Sequence, residues 1–256
     1  MSDSTQRFSS RVDNYVQYRP SYPAAIVPLL ARECGLTPQA VIADIGSGTG
    51  LLAVLWLQHG NPVFGVEPNA PMRAAGARLL AGYPAFTSIA GTAEATTLPS
   101  ASVDFVTAGQ AFHWFDPPAA RQEFLRILRP QGWSVLVGNA RRTDSTPFLV
   151  GYEQLLHEYA PGYTTQAHER ADARTPNIVT LFGSPDFRVA TFENQQWFDW
   201  AGIQGRLLSS SYAPEPATPA HAPMIAALQR LFDTYAQAGQ VAFAYETAVY
   251  YGRLQR

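Results

Sequence analysis

The chain is poor in cysteine, in charge and in long apolar runs, and each shortage excludes a class of protein. Cys34 is the single cysteine among 256 residues, so neither an internal disulfide nor a multi-cysteine metal site can form. A half-buried core thiol is the expected role for it. Basic residues number 18 against 20 acidic ones, a formal net charge of -2. They form no block, so the electrostatic footprint of a nucleic-acid backbone binder is missing. His157, His168 and His221 show no metal-ligand spacing, and no metal is expected. No apolar run is long enough to cross a bilayer, and the polar opening MSDSTQRFSSRVDNY carries no apolar signal segment. These absences predict a soluble, cytoplasmic protein with no nucleic-acid and no membrane partner, either a monomer or a homodimer.

What is present is an apolar share of 46%, enough for a large core without disulfides or metals. Strand and helix patterns alternate from residue 41 onward. Val41–Ile45, Pro62–Glu67, Phe86–Ala90, Val103–Gly109 and Trp133–Asn139 read as strands. Between them Gly50–His59, Pro71–Leu80 and Pro117–Leu128 read as helices, after a first helix near Ala24–Glu33. This rhythm predicts an α/β fold with right-handed crossovers and a doubly wound, mostly parallel sheet. From about Thr143 the rhythm changes. Phe148–Tyr159, Asn177–Phe182, Trp197–Leu208 and Pro219–Ala238 read as helices, and Phe187–Phe192 and Val241–Leu254 as the last two of seven strands. The expected organisation is an N-terminal segment and helix over 1–40 and an alternating α/β half over 41–142. A helical cap insertion over 143–185 follows, then C-terminal strands with further cap helices over 186–256.

The stretch VIADIGSGTGLL ends a strand and opens a helix, where nucleoside and phosphate sites form in open α/β sheets. It is not a Walker A loop, because Leu51-Leu52 stands where Lys-Ser/Thr is needed. Nor is it the dinucleotide fingerprint, whose third glycine would fall on Leu51. Asp44, two residues before Gly46, would oppose a pyrophosphate but suits a ligand bearing an ammonium group. Glu67, at the end of the adjacent strand, can accept hydrogen bonds from both hydroxyls of a ribose.

Together these residues resemble the class I S-adenosylmethionine-dependent methyltransferases, of the type 11 group, over roughly Val41 to Ala140. The resemblance implies that Asp44, Gly46, Ser47, Gly48, Thr49 and Gly50 form the first motif around the methionine part of S-adenosyl-L-methionine. It places Glu67 and Pro68 at the ribose, Met72 against the adenine, and Thr92, Ala93 and Glu94 in the adenine-end loop. Many relatives carry Asp where Thr92 stands here. FSSRVDNYVQYRPSYP, GQAFHWF and TAVYYGRL are similar to a subgroup related to trans-aconitate methyltransferases. From that likeness Tyr15, Tyr18 and Arg19 would close on the methionine end, with Arg19 a partner for its carboxylate. The same segment also reads simply as an extended docking strip.

Methyl transfer from a sulfonium needs an oriented nucleophile and exclusion of water more than a catalytic triad. Gln110, just past the fourth strand, faces the ligand crevice and is a candidate for binding the cofactor, or the substrate, through its amide. His113 is the candidate general base, its ordinary pKa of about 6.5 suiting proton transfer near neutrality. Packing beneath the cap is the alternative for it. Trp114, Trp197, Arg206 and Tyr212 are candidates for an acceptor pocket, and Arg141, Arg142 and Arg206 for an acidic acceptor. Asp116-Pro117-Pro118 imitates the motif of amino-methylating enzymes on nucleic-acid bases, but Ala119 replaces its aromatic ring and a capped helix start explains it. The expected function is methyl transfer to an oxygen, nitrogen or carbon of a small molecule, with a carboxylate oxygen favoured by the subgroup likeness. The alternatives are an RNA or protein methyltransferase and a non-catalytic binding module.

Overall fold

A computed structural model describes residues 18–160, 163, 176–210 and 212–255. Tyr15 and His168 lie outside the described residues. Seven strands form one sheet: β1 (Ile42–Ile45), β2 (Val63–Val66), β3 (Phe86–Ile89), β4 (Val103–Gly109), β5 (Leu128–Arg141), β6 (Arg188–Phe198) and β7 (Val241–Gly252). Their order is β3-β2-β1-β4-β5-β7-β6. The first five run parallel, while β7 is antiparallel to both β5 and β6. The order reverses between β1 and β4, and a crevice opens at the carboxyl ends of these two strands.

The central strands are apolar on both faces because helices cover both. Ile42, Val63, Phe105 and Val135 join one cluster with α1 (Ile26–Cys34) and α2 (Ala53–His59), in which Trp56 is wholly buried. Ala43, Ile45, Val106 and Leu136 face the other way, toward α4 (Pro117–Ile127) and the helical residues 176–182. Between α2 and α4 in sequence order, α3 (Ala70–Leu79) links β2 to β3.

Local chemistry sets the helix ends. Gly35 and Gly60 close α1 and α2 at φ 70° and 99°, a left-handed region that glycine enters without a Cβ penalty. Asp116 caps α4 by accepting from the Ala119 N–H at 3.2 Å, with Pro117 in the first turn, so the DPP sequence is a helix start.

A third cluster forms the cap. It joins α5 (Pro147–Tyr159), α6 (Trp200–Leu208), α7 (His221–Tyr235) and the first half of β7. Here the structure corrects one expectation. Trp197 belongs to β6 and not to a helix: the strand pairs with β7 without a break from Arg188 to Phe198, and Asp199 then caps α6 on the Gly202 N–H at 2.7 Å. Continuous ladder hydrogen bonding outweighs the helical look of WFDWAGI. Trp197 is 55% exposed on the outer strand.

Candidate active site

The site is built where β1 and β2 end side by side. Asp44 sits in register with Gly65 of β2 and Thr107 of β4. Its carboxylate is buried, and Oδ1 accepts from the Thr107 hydroxyl at 2.9 Å. Oδ2 meets no hydrogen-bond partner among the described residues. Burial raises the Asp44 pKa to about 7, against the Thr107 bond; the nearby charge of Glu67 pushes it further up, and the Ala53 N–H opposes that. A buried acid oxygen without a donor is a costly arrangement that a cationic or hydrogen-bonding ligand would relieve.

The turn after β1 requires its glycines. Gly46, Gly48 and Gly50 adopt φ of 66°, 57° and 91°, where a side chain is strained. A Cβ on Gly46 would lie 2.5 Å from the Ala111 Cβ, and one on Gly50 would lie 2.5 Å from a Leu80 methyl. The first two N–H groups of the turn are already spent, since Gly46 and Ser47 both donate to the Val66 carbonyl, at 2.8 and 3.1 Å. The Ser47 carbonyl accepts from the Gly50 N–H at 2.8 Å, which closes the turn. Thr49 is buried, and its hydroxyl meets no partner among the described residues.

Glu67 locks this turn to the second strand. Its Oε2 accepts from the Gly48 N–H and its Oε1 from the Asn69 N–H, both at 2.8 Å. Burial nevertheless raises its pKa. Each carboxylate oxygen can accept more than one bond, so capacity remains for ribose hydroxyls. Arg73 does not pair with the carboxylate; its guanidinium donates to the backbone carbonyls of Glu67 and Pro68, at 2.9 and 3.2 Å. Asn69 also caps α3 through the Met72 N–H at 2.9 Å. This sets Met72 in place, its methyl 3.4 Å from where a Gly48 Cβ would stand.

The remaining predicted residues fall into two groups. Gly46 to Gly50, Asp44, Glu67 and Met72 converge at the strand ends. Gln110, at φ 56°, turns its amide toward the next strand and donates to the Asn139 carbonyl at 2.6 Å. A non-glycine residue in that region is a strained position of the kind that collects at functional sites. His113 and Trp114 share a short 3-10 turn directly after Gln110, with ring centroids 4.7 Å apart. Thr92 to Glu94 form a turn closed by the Ala95 carbonyl. Ala93 is buried there, while Glu94 accepts from the Asp116 N–H at 2.9 Å and so ties this loop to the start of α4. Pro68, next to Glu67 in the chain, is exposed.

The second group joins the cap instead. The Tyr18 ring packs against Gly205 of α6, so closely that a Cβ there would lie 2.1 Å from it. Arg19 donates to the Ser209 carbonyl at 3.0 Å. Tyr212 lies edge-on to Tyr163, and Arg206 of α6 is buried with its Nε donating to the Tyr245 hydroxyl of β7 at 3.0 Å.

Three residues escaped the sequence reading. Thr107, Asn69 and Tyr22 contribute respectively the hydroxyl bonded to Asp44, the second anchor of Glu67, and a hydroxyl 2.6 Å from where a Gly109 Cβ would stand. A polar Thr inside the apolar run VDFVTAG was the available signal for the first.

Residues 43–136 match the family model described as a methyltransferase domain. Over these residues the chain is similar to methyltransferase domains. The match covers β2, β3 and β4, most of β1 and part of β5, together with the glycine turn and both acids of the site. The chain is similar to uncharacterized methyltransferases of Mycobacterium bovis and Mycobacterium tuberculosis, at 37% identity over 143 residues. The chain spans about half the length of these relatives, 54% of each, and the match covers 54% of the chain itself. An uncharacterized methyltransferase of Geobacillus thermodenitrificans is 26% identical over 76% of the chain and 90% of its own length. Among solved structures, one described as a type II methyltransferase from Anaeromyxobacter dehalogenans superimposes with a TM-score of 0.68 at 22% identity, covering 93% of this chain and 98% of that one. At that identity the likeness establishes the fold alone, the seven-stranded Rossmann-like sheet of methyltransferases.

Proposed function

We propose that the protein transfers the methyl group of S-adenosyl-L-methionine to an oxygen, nitrogen or carbon atom of a small-molecule acceptor. The observation that carries this reading is the pair of buried acids, Asp44 and Glu67, at the glycine turn, with Asp44 Oδ2 lacking a donor. Two buried carboxylates repel a pyrophosphate and attract a ligand with ammonium or sulfonium character. The donor set therefore fits this cofactor better than a nicotinamide dinucleotide. When bound, S-adenosylmethionine supplies an activated methyl group on a sulfonium and leaves as S-adenosylhomocysteine.

The chain's own residues then divide the work. Asp44 orients the amino group of the methionine part, Glu67 the ribose, and Met72 supplies an apolar face for the adenine. Gln110 and the His113-Trp114 turn line the route by which an acceptor reaches the strand ends. His113 is the candidate base for an acceptor that must lose a proton, a need that a carboxylate acceptor does not have.

Isothermal titration with S-adenosylmethionine, S-adenosylhomocysteine and NAD in parallel tests the reading. Binding of both sulfur nucleosides in the micromolar range, and none of NAD, is expected. Silence toward both sulfur nucleosides would overturn the cofactor assignment.

A further inference from the structure

The stretch LRPQGW, Leu128 to Trp133, begins β5 at the end of the sheet opposite the glycine turn. There β5 leaves its register with β4. Leu128 pairs with Val103 and Trp133 with Phe105, so Arg129 to Gly132 are extruded opposite Asp104 alone. An extrusion of this kind re-aims side chains and is common beside functional sites. Gln131 takes φ 70°, a left-handed conformation that is strained for a residue other than glycine. Gly132 permits a close pass, since a Cβ there would lie 2.8 Å from a Leu128 methyl and 3.0 Å from the Asp104 carbonyl oxygen.

The extruded residues help to line a hollow of about 180 Å³. A cavity of about 150 Å³ is enough to hold a benzene ring. Buried Leu128 and Leu254 and half-buried Leu125 of α4 make it apolar on one side, and exposed Arg129, Gln131 and Arg253 make it polar on the other. Arg253 is held in two ways. Its Nη1 donates to Gln131 Oε1, and its guanidinium lies 4.9 Å from the centroid of the Trp133 ring. Arg129 pairs with Asp104 Oδ2 at 2.8 Å, and that oxygen also accepts the Val41 N–H at 2.8 Å. Asp104 is thus engaged, and no carboxylate pairs with Arg253 among the described residues. A guanidinium offers five N–H donors in a rigid fork, and those that Gln131 does not use are oriented at the edge of the hollow. A solvated surface arginine needs neither a strained neighbour to fix it nor an apolar hollow beside it.

We propose that this hollow is a second ligand site, for a small anion with an apolar body. Arg253 binds the carboxylate or phosphate group, and the aliphatic or aromatic part rests on Leu125, Leu128 and Leu254. The occupant is not the methyl acceptor. Phe105, level with the hollow, is four steps along β4 from Gly109 at the crevice, or about 13 Å at ~3.3 Å per residue. The site therefore stands independently of which atom the crevice methylates.

The test titrates benzoate and phenyl phosphate, with benzamide as the uncharged counterpart, into the full chain. At least one anion should bind with a Kd below about 1 mM, and benzamide about tenfold or more weakly, the scale of one charge-assisted hydrogen bond. The preference between the two anions separates a carboxylate ligand from a phosphate. Arg253→Met should weaken anion binding by a similar factor while the thermal midpoint stays within about 4 °C, as expected at an exposed position. Gln131→Gly should also weaken binding, with a midpoint that stays level or rises, because it relieves the backbone and releases the arginine. A purely structural turn would show the reverse, a lower midpoint and unchanged binding. No saturable binding of either anion, equal binding of the anions and benzamide, or full affinity in R253M would overturn the proposal. The anions should bind equally with and without S-adenosylhomocysteine, so this site and the cofactor reading can fail separately.

Discussion

At the scale of single residues, the site is a contest between burial and hydrogen bonding around Asp44. With its pKa raised to about 7, Asp44 is protonated in the folded protein over a range in which it is ionised in the unfolded chain. The folded state therefore binds the extra proton between an unfolded pKa of about 3.9 and the folded value. Stability of the ligand-free protein from this group is full below that range and is lost as pH rises through it, levelling off above about 7. Denaturant unfolding across pH should show that slope, and Asp44→Asn should remove it. A ligand ammonium favours the ionised acid, so S-adenosylhomocysteine should bind more tightly as pH rises from about 6 to 8 and release a proton on binding. Calorimetry in buffers of different ionisation enthalpy reads that proton; none released below pH of about 7 would contradict the assigned role. Asp44→Ala and Glu67→Ala should each weaken binding by about tenfold or more, as expected for losing charge-assisted hydrogen bonds. His113→Ala separates chemistry from binding: a lower kcat with unchanged affinity for S-adenosylhomocysteine supports a base, and full activity would leave packing as its role.

At the scale of elements, the helix caps carry the site's geometry. Asn69 both starts α3 and presents its N–H to Glu67, so one residue sets the helix and the acid together. Asn69→Ala should cost about 1 kcal/mol of stability through loss of the cap, and Asn69→Asp should retain most of it, as measured by urea unfolding. The elements were legible where period and punctuation agreed. The central strands, α1 and α4 match the sequence pattern because apolar runs end at Gly35, or begin at Asp116-Pro117, with unambiguous turn chemistry. The misreading of Trp197 came where they disagreed. An apolar run that spans a strand end and a helix start has no period of its own, and only pairing with β7 shows where one stops.

At the scale of the whole molecule, the cap and the N-terminal segment are coupled. Tyr18 fills the hollow over Gly205, and Arg19 ties to the end of α6. Gly205→Ala forces a Cβ into that ring and should cost about 1–3 kcal/mol. In a Tyr18→Ala background the same change should cost much less, which a double-mutant cycle in thermal unfolding measures. Additive costs would show that the two surfaces are not packed together in solution. No helix among the described residues is long and apolar enough to cross a membrane.

The sequence by itself determined the alternating α/β order, the glycine turn and the two acids of the site. These depend on local period, on positive φ and on the short fixed spacing between a strand and the helix that follows it. Only the tertiary structure decided which partners those acids have. Thr107 lies 63 residues from Asp44 and meets it because β4 pairs with β1. It alone also brought Arg141 and Arg206 to one phenylalanine ring, with Glu153 paired to Arg141. Charge balance inside a fold is a property of neighbours in space, and sequence separation carries no record of it.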